Sequence, residues 1–199
     1  MKFGHPQMLW AAVVPVALFE LAVGGLVLRG DMPAPYRAYY VDKTSDCWKH
    51  VTSGDYTMGT TLSFVDGKGP LFFPNKICGW FYPGPHGTWS YGRYSLLRFA
   101  FAPQGRPLQL TIAAGAMVTD DAPIQRVMVS VNGKRLATLS FGSTEADIRQ
   151  VTIPAALAAD GNLDLRFDYP NARPGDEMGP NEDPHLRAIR MVALTLAPA

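Results

Sequence analysis

Beyond residue 41 the chain consists of short runs in which apolar and polar residues alternate. In residues 163–169, LDLRFDY, the apolar side chains occupy every second position, so an extended strand would bury one face and expose the other. Asn132-Gly133 lies between two such runs and supplies the positive φ angles that a type I′ hairpin requires. The predicted strands are Thr57–Val65, Leu71–Phe73, Tyr94–Ala102, Leu108–Met117, Ile124–Val131, Leu136–Phe141, Ile148–Ile153, Leu163–Tyr169 and Ile189–Leu196. This pattern predicts an all-β antiparallel β-sandwich.

The N-terminus has a different pattern, because Leu9 to Leu28 form a run of 20 residues with a single charge. A helix of this length spans the roughly 30 Å hydrocarbon core of a membrane. The run predicts a signal-anchor transmembrane helix within residues 1–29, a linker at 30–40 and an extracytoplasmic β-sandwich domain at 41–199. We place the sandwich in the periplasm, behind a single span of a bacterial cytoplasmic membrane. The alternative is a signal peptide that is cleaved before Gly25.

The one charge in this run is Glu20, near the middle of the predicted span. An unpaired carboxylate at that depth costs about 2.5 to 3.5 kcal/mol on insertion scales. Glu20 is therefore a candidate contact with a membrane protein partner. Two alternatives remain open: the helix shifts so that Glu20 approaches an interface, or Glu20 belongs to a signal peptide.

The charge of the whole chain is almost balanced, with 18 basic and 17 acidic residues and a net charge of +1. Without a basic cluster, the chain lacks the electrostatic character of a nucleic-acid-binding protein. The two cysteines, Cys47 and Cys78, both fall in the predicted extracytoplasmic part. Oxidising conditions there would permit a disulfide, and two buried free thiols are the alternative.

An aromatic cluster occupies a stretch rich in Pro and Gly at residues 80–94. Aromatic faces stack on the apolar faces of sugar rings, and neighbouring polar groups bond to hydroxyls. The candidate glycan-binding residues are Trp80, Tyr82, His86, Trp89, Tyr91 and Arg93. The alternative is that Trp80 and Trp89 fill the end of the sandwich core.

Metal and catalytic chemistry have little support in the sequence. The loop 171–185 carries Asp176, Glu177 and Asp183, which are weak candidates for Ca²⁺, but the spacing is not that of an EF-hand and a solvated acidic loop is the alternative. The four histidines lack zinc-ligand spacing. Nucleophile-elbow, P-loop and dinucleotide motifs are missing. We therefore expect no enzymatic activity and no cofactor.

Several short motifs occur together in the outer part of the chain: Gly79-Trp80, the run Gly87 to Gly92 (GTWSYG), and the strand Leu96–Phe101. In this combination the chain resembles the jelly-roll accessory domain of bacterial membrane phosphoglycerol transferases and some polysaccharide glycosyltransferases. Val131-Asn132-Gly133, Val151 to Pro154, Asp183 and Arg187 extend the resemblance over residues 56–197. The resemblance implies a carbohydrate-binding-like jelly roll in envelope glycan biosynthesis, without catalytic residues.

These features predict a membrane-anchored, non-catalytic accessory module of envelope polysaccharide biosynthesis. We expect the N-terminal helix to associate with a membrane protein and the sandwich to contact polysaccharide. The alternative function is that of a structural single-span subunit of a larger integral-membrane complex, with no sugar binding.

Overall fold

The computed structural model describes residues 13–21, 23, 33–41, 46–47, 52–174 and 185–199. Within these residues the main body consists of strands joined by turns. The strands are β1 (Thr61–Ser63), β2 (Lys76–Cys78), β3 (Thr88–Trp89), β4 (Tyr94–Ala100), β5 (Leu108–Ala116), β6 (Gln125–Val131), β7 (Lys134–Phe141), β8 (Asp147–Ile153), β9 (Asn162–Asp168), β10 (Arg173–Pro174), β11 (Leu186–Arg187) and β12 (Ile189–Pro198).

The strands form two five-stranded antiparallel sheets. The first sheet has the order β1-β12-β5-β8, with β3 paired to the beginning of β12. The second sheet has the order β2-β4-β9-β6-β7, and β10 and β11 form a separate two-stranded ribbon. From β4 to β9 the chain passes repeatedly from one sheet to the other, as in Greek-key and jelly-roll sandwiches. The predicted all-β antiparallel sandwich is confirmed.

The hydrophobic core lies between the sheets because alternate residues of each strand point inward. On β9, Leu163, Leu165 and Phe167 are fully buried, and β5 has the same alternation. Burying each side chain of this size contributes about 1.5 to 3 kcal/mol. The alternate positions of β9 carry Asp164 and Arg166, which lie on the outer face of the second sheet. The two-residue alternation of apolar and polar side chains therefore determines which face of the strand is buried.

The predicted Asn-Gly hairpin is present between β6 and β7. Asn132 has φ 48° and Gly133 has φ 78°, and Val131 pairs with Lys134 across the two-residue turn. The Asn132 side chain also donates to the carbonyl oxygens of Leu157 and Asn162 at 2.9 and 3.1 Å. The residue that forms the turn therefore also ties it to the start of β9.

Two strand predictions differ from the structure. The predicted strand Thr57–Val65 is reduced to β1, since Gly59 adopts φ +83° and interrupts the extended chain. Leu71–Phe73 is not a strand: a 3₁₀ helix begins at Phe73 with Pro74 in its first turn, a position for which the fixed φ of proline is suited. The short strands β2 and β3 were not predicted, because neither has enough residues to show a period.

The N-terminal prediction falls only partly within the described residues. Residues 13–21 are helical and exposed, Glu20 among them. A second helix, Ala34–Tyr40, lies inside the predicted linker. Among the residues that the structure describes, no helix has both the length and the apolar character needed to cross a bilayer.

Candidate functional site

The aromatic cluster lies on an irregular hairpin, residues 80–91, that leaves β2 and returns toward β4. Trp80 and Ser90 form an antiparallel bridge, the Phe81 amide donates to the Trp89 carbonyl at 3.0 Å, and the Tyr91 amide donates to the Gly79 carbonyl at 2.8 Å. These bonds hold the two arms of the hairpin side by side. The aromatic side chains are thus carried by hydrogen-bonded backbone.

Gly79 is the residue that allows this hairpin to approach β4. Its φ of +80° belongs to the left-handed region, and a Cβ atom there would lie 2.4 Å from the Tyr94 carbonyl oxygen and from Ser95 Cα. Both neighbours are backbone atoms that cannot move aside. Any other residue would push the hairpin away from the sheet.

Trp80 is part of the core. Only 1% of its surface is exposed, and its ring packs edge-on against Phe64 and Phe167 at centroid distances of 5.2 and 6.0 Å. Its indole Nε1 has no hydrogen-bond partner among the described residues. The interpretation of Trp80 as a core residue therefore describes its packing better than that of an open stacking surface.

Next to Trp80 a groove of about 580 Å³ opens at the β2 edge of the sandwich, and we call it the aromatic groove. Six of its nine lining residues are aromatic, which suits a sugar ring better than a compact ion. Its lining residues are Tyr39, Asp46, Phe73, Lys76, Ile77, Trp80, Phe81, Tyr82 and Tyr91.

The charges in the aromatic groove neutralise each other. Lys76 Nζ lies 3.1 Å from Asp46 Oδ2 and donates to the Trp80 carbonyl at 2.6 Å, while Asp46 also accepts from the Gly79 amide. A disulfide between Cys47 and Cys78 links this segment to the end of β2, with the two Cα atoms 4.8 Å apart. The groove therefore presents a fixed ion pair with no net charge. Its ammonium group donates and its carboxylate accepts hydrogen bonds, so both can bind sugar hydroxyl groups.

One wall of the aromatic groove is a stack of side chains that supports Phe81 and Tyr91. Their rings meet edge to face at 4.8 Å, and the Arg187 guanidinium lies 4.9 Å from the centre of the Phe81 ring. His185 packs against Tyr91 at a centroid distance of 4.6 Å. This mutual packing restricts the rotamers of the wall before any ligand binds.

A second groove of about 390 Å³ lies on the other arm of the hairpin, and we call it the Arg190 groove. Trp89 lies opposite Arg190 in the register of β3 and β12, with the guanidinium carbon 5.8 Å from the indole centroid. The lining residues are Tyr82, Gly84, Pro85, His86, Gly87, Trp89, Met117, Val118, Thr144 and Arg190.

Tyr82 lines both grooves and is 85% exposed. Since one side chain belongs to both linings, the two grooves are adjacent. A ligand longer than one groove can therefore pass across the Tyr82 ring.

The structure divides the predicted glycan-binding residues between the grooves. Trp80 and Tyr91 line the aromatic groove, His86 and Trp89 line the Arg190 groove, and Tyr82 lines both. Arg93 is exposed and lines neither. Several lining residues from outside the hairpin were not nominated by the sequence: Tyr39, Asp46, Phe73, Lys76, Ile77, Met117, Val118, Thr144 and Arg190. These have no shared motif, so no sequence signal pointed to them.

The other candidate chemistries lead to structural roles or fall outside the described part of the chain. The weak Ca²⁺ candidates Asp176, Glu177 and Asp183 lie outside the described residues. Asp46, Cys47 and Cys78 bring three potential metal-ligand atoms close together, but the two sulfur atoms are bonded to each other in the disulfide.

The polar side chains of Ser90 and Asp121, both outside the two groove linings, have backbone or side-chain partners. Ser90 Oγ is buried and accepts from the Ala188 and Ile189 amides at 2.9 and 3.2 Å, so the hydroxyl oxygen is already engaged by the backbone. Asp121 accepts from Thr119 Oγ1 at 2.6 Å and pairs with Arg173 at 3.3 Å. These two contacts, in that order, lower the pKa of Asp121 to about 2.

No protein family model matches the chain, and no curated protein matches it. Among solved structures, it is similar to a family 36 carbohydrate-binding module in complex with calcium and xylotriose, with a TM-score of 0.40, 11% identity, and coverage of 69% of this chain and 99% of that one. A family 36 module of a multidomain xylanase from the hindgut metagenome of Trinervitermes trinervoides has a TM-score of 0.39 and 11% identity, with coverage of 78% and 95%. A family 35 carbohydrate-binding module from an environmental isolate has a TM-score of 0.35 and 15% identity, with coverage of 78% and 96%. At TM-scores below 0.5, these similarities assign neither a family nor a ligand to this chain.

Proposed function

We propose that the protein is a non-catalytic glycan-binding module that serves envelope polysaccharide biosynthesis and is held at the bacterial membrane by its N-terminal segment. The binding surface is the aromatic groove. The observation that carries this proposal is the groove's lining, in which partly exposed aromatic rings surround a neutralised ion pair.

The exposed rings supply the apolar contact that sugar binding needs. Tyr82 is 85%, Phe73 38% and Tyr39 37% exposed, and all three line the groove. A pyranose ring has an apolar face that packs on such rings, while its hydroxyls both donate and accept hydrogen bonds. The Lys76–Asp46 pair offers donors and acceptors side by side, so it matches a hydroxyl-rich ligand without favouring a charged one.

The membrane and biosynthetic context is supported by the sequence. The apolar run Leu9 to Leu28 has the length of a span, and residues 56–197 resemble the accessory domain of membrane phosphoglycerol transferases. In this proposal the N-terminal helix lies beside a membrane enzyme in the cytoplasmic membrane, and the sandwich in the periplasm holds polysaccharide close to that enzyme.

Binding of the full chain to neutral hexasaccharides of glucose, galactose and mannose, measured by titration calorimetry in mild detergent, tests the proposal. We expect binding to at least one series, and we expect Tyr82→Ala or Phe73→Ala to weaken it about three- to tenfold, since a stacked aromatic contact contributes roughly 0.5 to 1.5 kcal/mol. Both residues are exposed enough to be replaced without loss of the fold.

The matched control is Tyr94→Ala. Tyr94 is a partly exposed aromatic residue on β4 that lines neither groove and stacks under Arg166 at 4.3 Å. The Tyr94→Ala substitution should leave the affinity for the hexasaccharides unchanged. If no hexasaccharide binds, or if Tyr94→Ala weakens binding as much as Tyr82→Ala, the aromatic groove is not a glycan site.

The second candidate function is that of a structural subunit in a larger integral-membrane complex. It is favoured by the apolar side chains of the N-terminal helix, since Leu18, Phe19 and Leu21 are 61 to 73% exposed. Purification in mild detergent followed by mass spectrometry tests this function. A stoichiometric partner that is lost in Glu20→Leu but kept in Glu145→Leu, a matched exposed acid on the sandwich, would support it, while a monomer in every case would contradict it.

A further inference from the structure

The two grooves differ in charge. In the aromatic groove, Lys76 is paired with Asp46. The lining of the Arg190 groove contains Arg190 and His86 but no carboxylate. Among the described residues, no Asp or Glu oxygen forms an ion pair with Arg190, in contrast to Arg98, Arg149, Arg166 and Arg173.

The Arg190 side chain is nevertheless held in one place. Its Nη2 donates to the Thr144 carbonyl at 2.9 Å, and its guanidinium packs near the Trp89 ring at 5.8 Å. Its Nε is buried without a partner in the described part of the chain, and no described residue accepts a hydrogen bond from its Nη1. Since Nε is closed off from solvent, Nη1 is the donor left for a ligand, and a fixed guanidinium with such a donor is suited to an oxyanion, which it binds through a charge-assisted hydrogen bond.

The position of the groove relates this charge to the glycan site. Tyr82 is shared by both linings, so a chain whose neutral rings occupy the aromatic groove would place its next units over Tyr82 and beside Arg190. Trp89 supplies an apolar surface for those units, and Arg190 supplies the charge. Of the two grooves, the second thus offers a negative substituent on the glycan a cation that no described carboxylate already pairs with.

We infer that the Arg190 groove binds the anionic substituent of an acidic glycan, a sugar carboxylate or a sugar phosphate, while the aromatic groove binds adjoining neutral rings. This inference rests on the proposed function and specifies its ligand class. It assigns to Arg190 the recognition of charge and to Tyr82 the surface shared by both parts of the chain.

The experiment compares matched hexasaccharides in the glucose, galactose and mannose series. Each series is used in its neutral form, with uronic acid units, and with 6-phosphate substituents, and binding to the full chain is measured by titration calorimetry. We expect one acidic form to bind at least about tenfold more tightly than its neutral counterpart. The carboxylate and phosphate arms identify which oxyanion Arg190 prefers.

Variants then locate the charge recognition. Arg190→Gln should lower the affinity for the acidic form about tenfold and lower the affinity for the neutral form much less, so that the preference for the acidic form is lost. Arg190→Lys should keep part of the preference, since it keeps the charge but loses the planar fork of donors. Arg126→Gln, at an exposed arginine that lines neither groove, removes the same charge elsewhere and should change neither affinity.

The outcomes separate this inference from the proposed function. Equal binding of neutral and acidic forms, lost in Tyr82→Ala, would retain the glycan site and overturn the role of Arg190. Equal effects of Arg190→Gln and Arg126→Gln would also overturn it, because the preference would then reflect net charge alone. Binding to none of the hexasaccharides would overturn both. If Arg190→Gln lowers the melting temperature so far that it cannot be titrated, Arg190→Lys decides: an unchanged acidic preference contradicts the inference.

Discussion

The aromatic groove and the Arg190 groove share one hairpin and one tyrosine but differ in how they are built. The aromatic groove lies over Trp80, a core residue, and its charged pair is fixed by the disulfide segment. The Arg190 groove lies over β3 and the beginning of β12, and its cation has no carboxylate partner among the described residues. The hairpin supplies aromatic rings to both, whereas residues outside the hairpin set the charge of each: Lys76 and Asp46 in the aromatic groove, and Arg190 of β12 in the other. One hairpin can therefore offer a surface for uncharged sugar rings on one arm and a cation for a charged ligand on the other.

The largest expected effect distinguishes the two tryptophans. Trp80→Ala should lower the free energy of unfolding by about 3 to 5 kcal/mol, because it empties a fully buried site in contact with Phe64 and Phe167. Trp89 is partly exposed, so Trp89→Ala should cost clearly less. Urea unfolding followed by circular dichroism measures both. Equal losses of stability would mean that Trp89 contributes to the core as much as Trp80 does.

The next effect concerns the disulfide, which lies at the aromatic groove. Its removal in Cys47→Ala/Cys78→Ala should lower the free energy of unfolding by about 3 to 4 kcal/mol, because the bond closes a loop with a sequence separation of 31 residues. The affinity for neutral sugar should fall, since Asp46 is no longer held beside Lys76. The packing of Arg190 against Trp89 in the other groove should not change.

Reduction of the wild-type protein provides the control for this prediction. It should reproduce the loss of stability, and the double variant should be insensitive to the reductant. If the double variant binds neutral sugar with the wild-type affinity, the disulfide segment does not shape the aromatic groove.

A smaller effect concerns the Arg190 groove. Ser90→Ala removes the acceptor of the Ala188 and Ile189 amides, immediately before Arg190 in the chain, and should cost about 1 to 3 kcal/mol because both donors are buried. Ser140→Ala, at an exposed serine on β7, serves as the control and should change stability by less than about 0.5 kcal/mol. Thermal unfolding measures the difference. A Ser90→Ala variant as stable as Ser140→Ala would show that these bonds do not hold the start of β12.

The smallest effect contrasts a paired arginine with Arg190. Asp121 has a pKa of about 2 because Thr119 donates to it and Arg173 lies beside it. A lowered carboxylate pKa adds stability above its unfolded value near 3.9, and that contribution is lost as the pH falls through about 2. NMR titration should show this pKa, and Arg173→Gln should raise it toward the ordinary value. An Asp121 that titrates near 3.9 in the wild-type protein would contradict the ion pair.

Prediction from the sequence succeeded where the information was local. The period of two in residues 163–169 identified β9 and its buried face, and Asn132-Gly133 identified the hairpin turn. It failed where a neighbour imposed the structure: β2 and β3 are too short to have a period and are strands because β4 and β12 pair with them. The predicted strand Leu71–Phe73 failed because Pro74 favours a helical turn over a ladder position.

The candidate site was predictable only in part. The aromatic cluster was visible because its members are close in sequence. Only the structure shows that Trp80 is buried, whereas Tyr82 is exposed and Trp89 is partly exposed. Nothing in the sequence set Arg190 beside Trp89, or Asp46 beside Lys76. The membrane anchor at residues 1–29 and its contact through Glu20 stay predictions.

By itself, the sequence determined which residues face the core and where the chain turns, because side-chain periodicity and positive φ angles are properties of neighbouring residues. Only the tertiary structure decided which charges are paired and which rings are accessible. Arg190 and Trp89 are 101 positions apart in the chain and become neighbours through the pairing of β3 with β12. A contact of that kind depends on how the sheets assemble, and this assembly reflects the packing of the whole core.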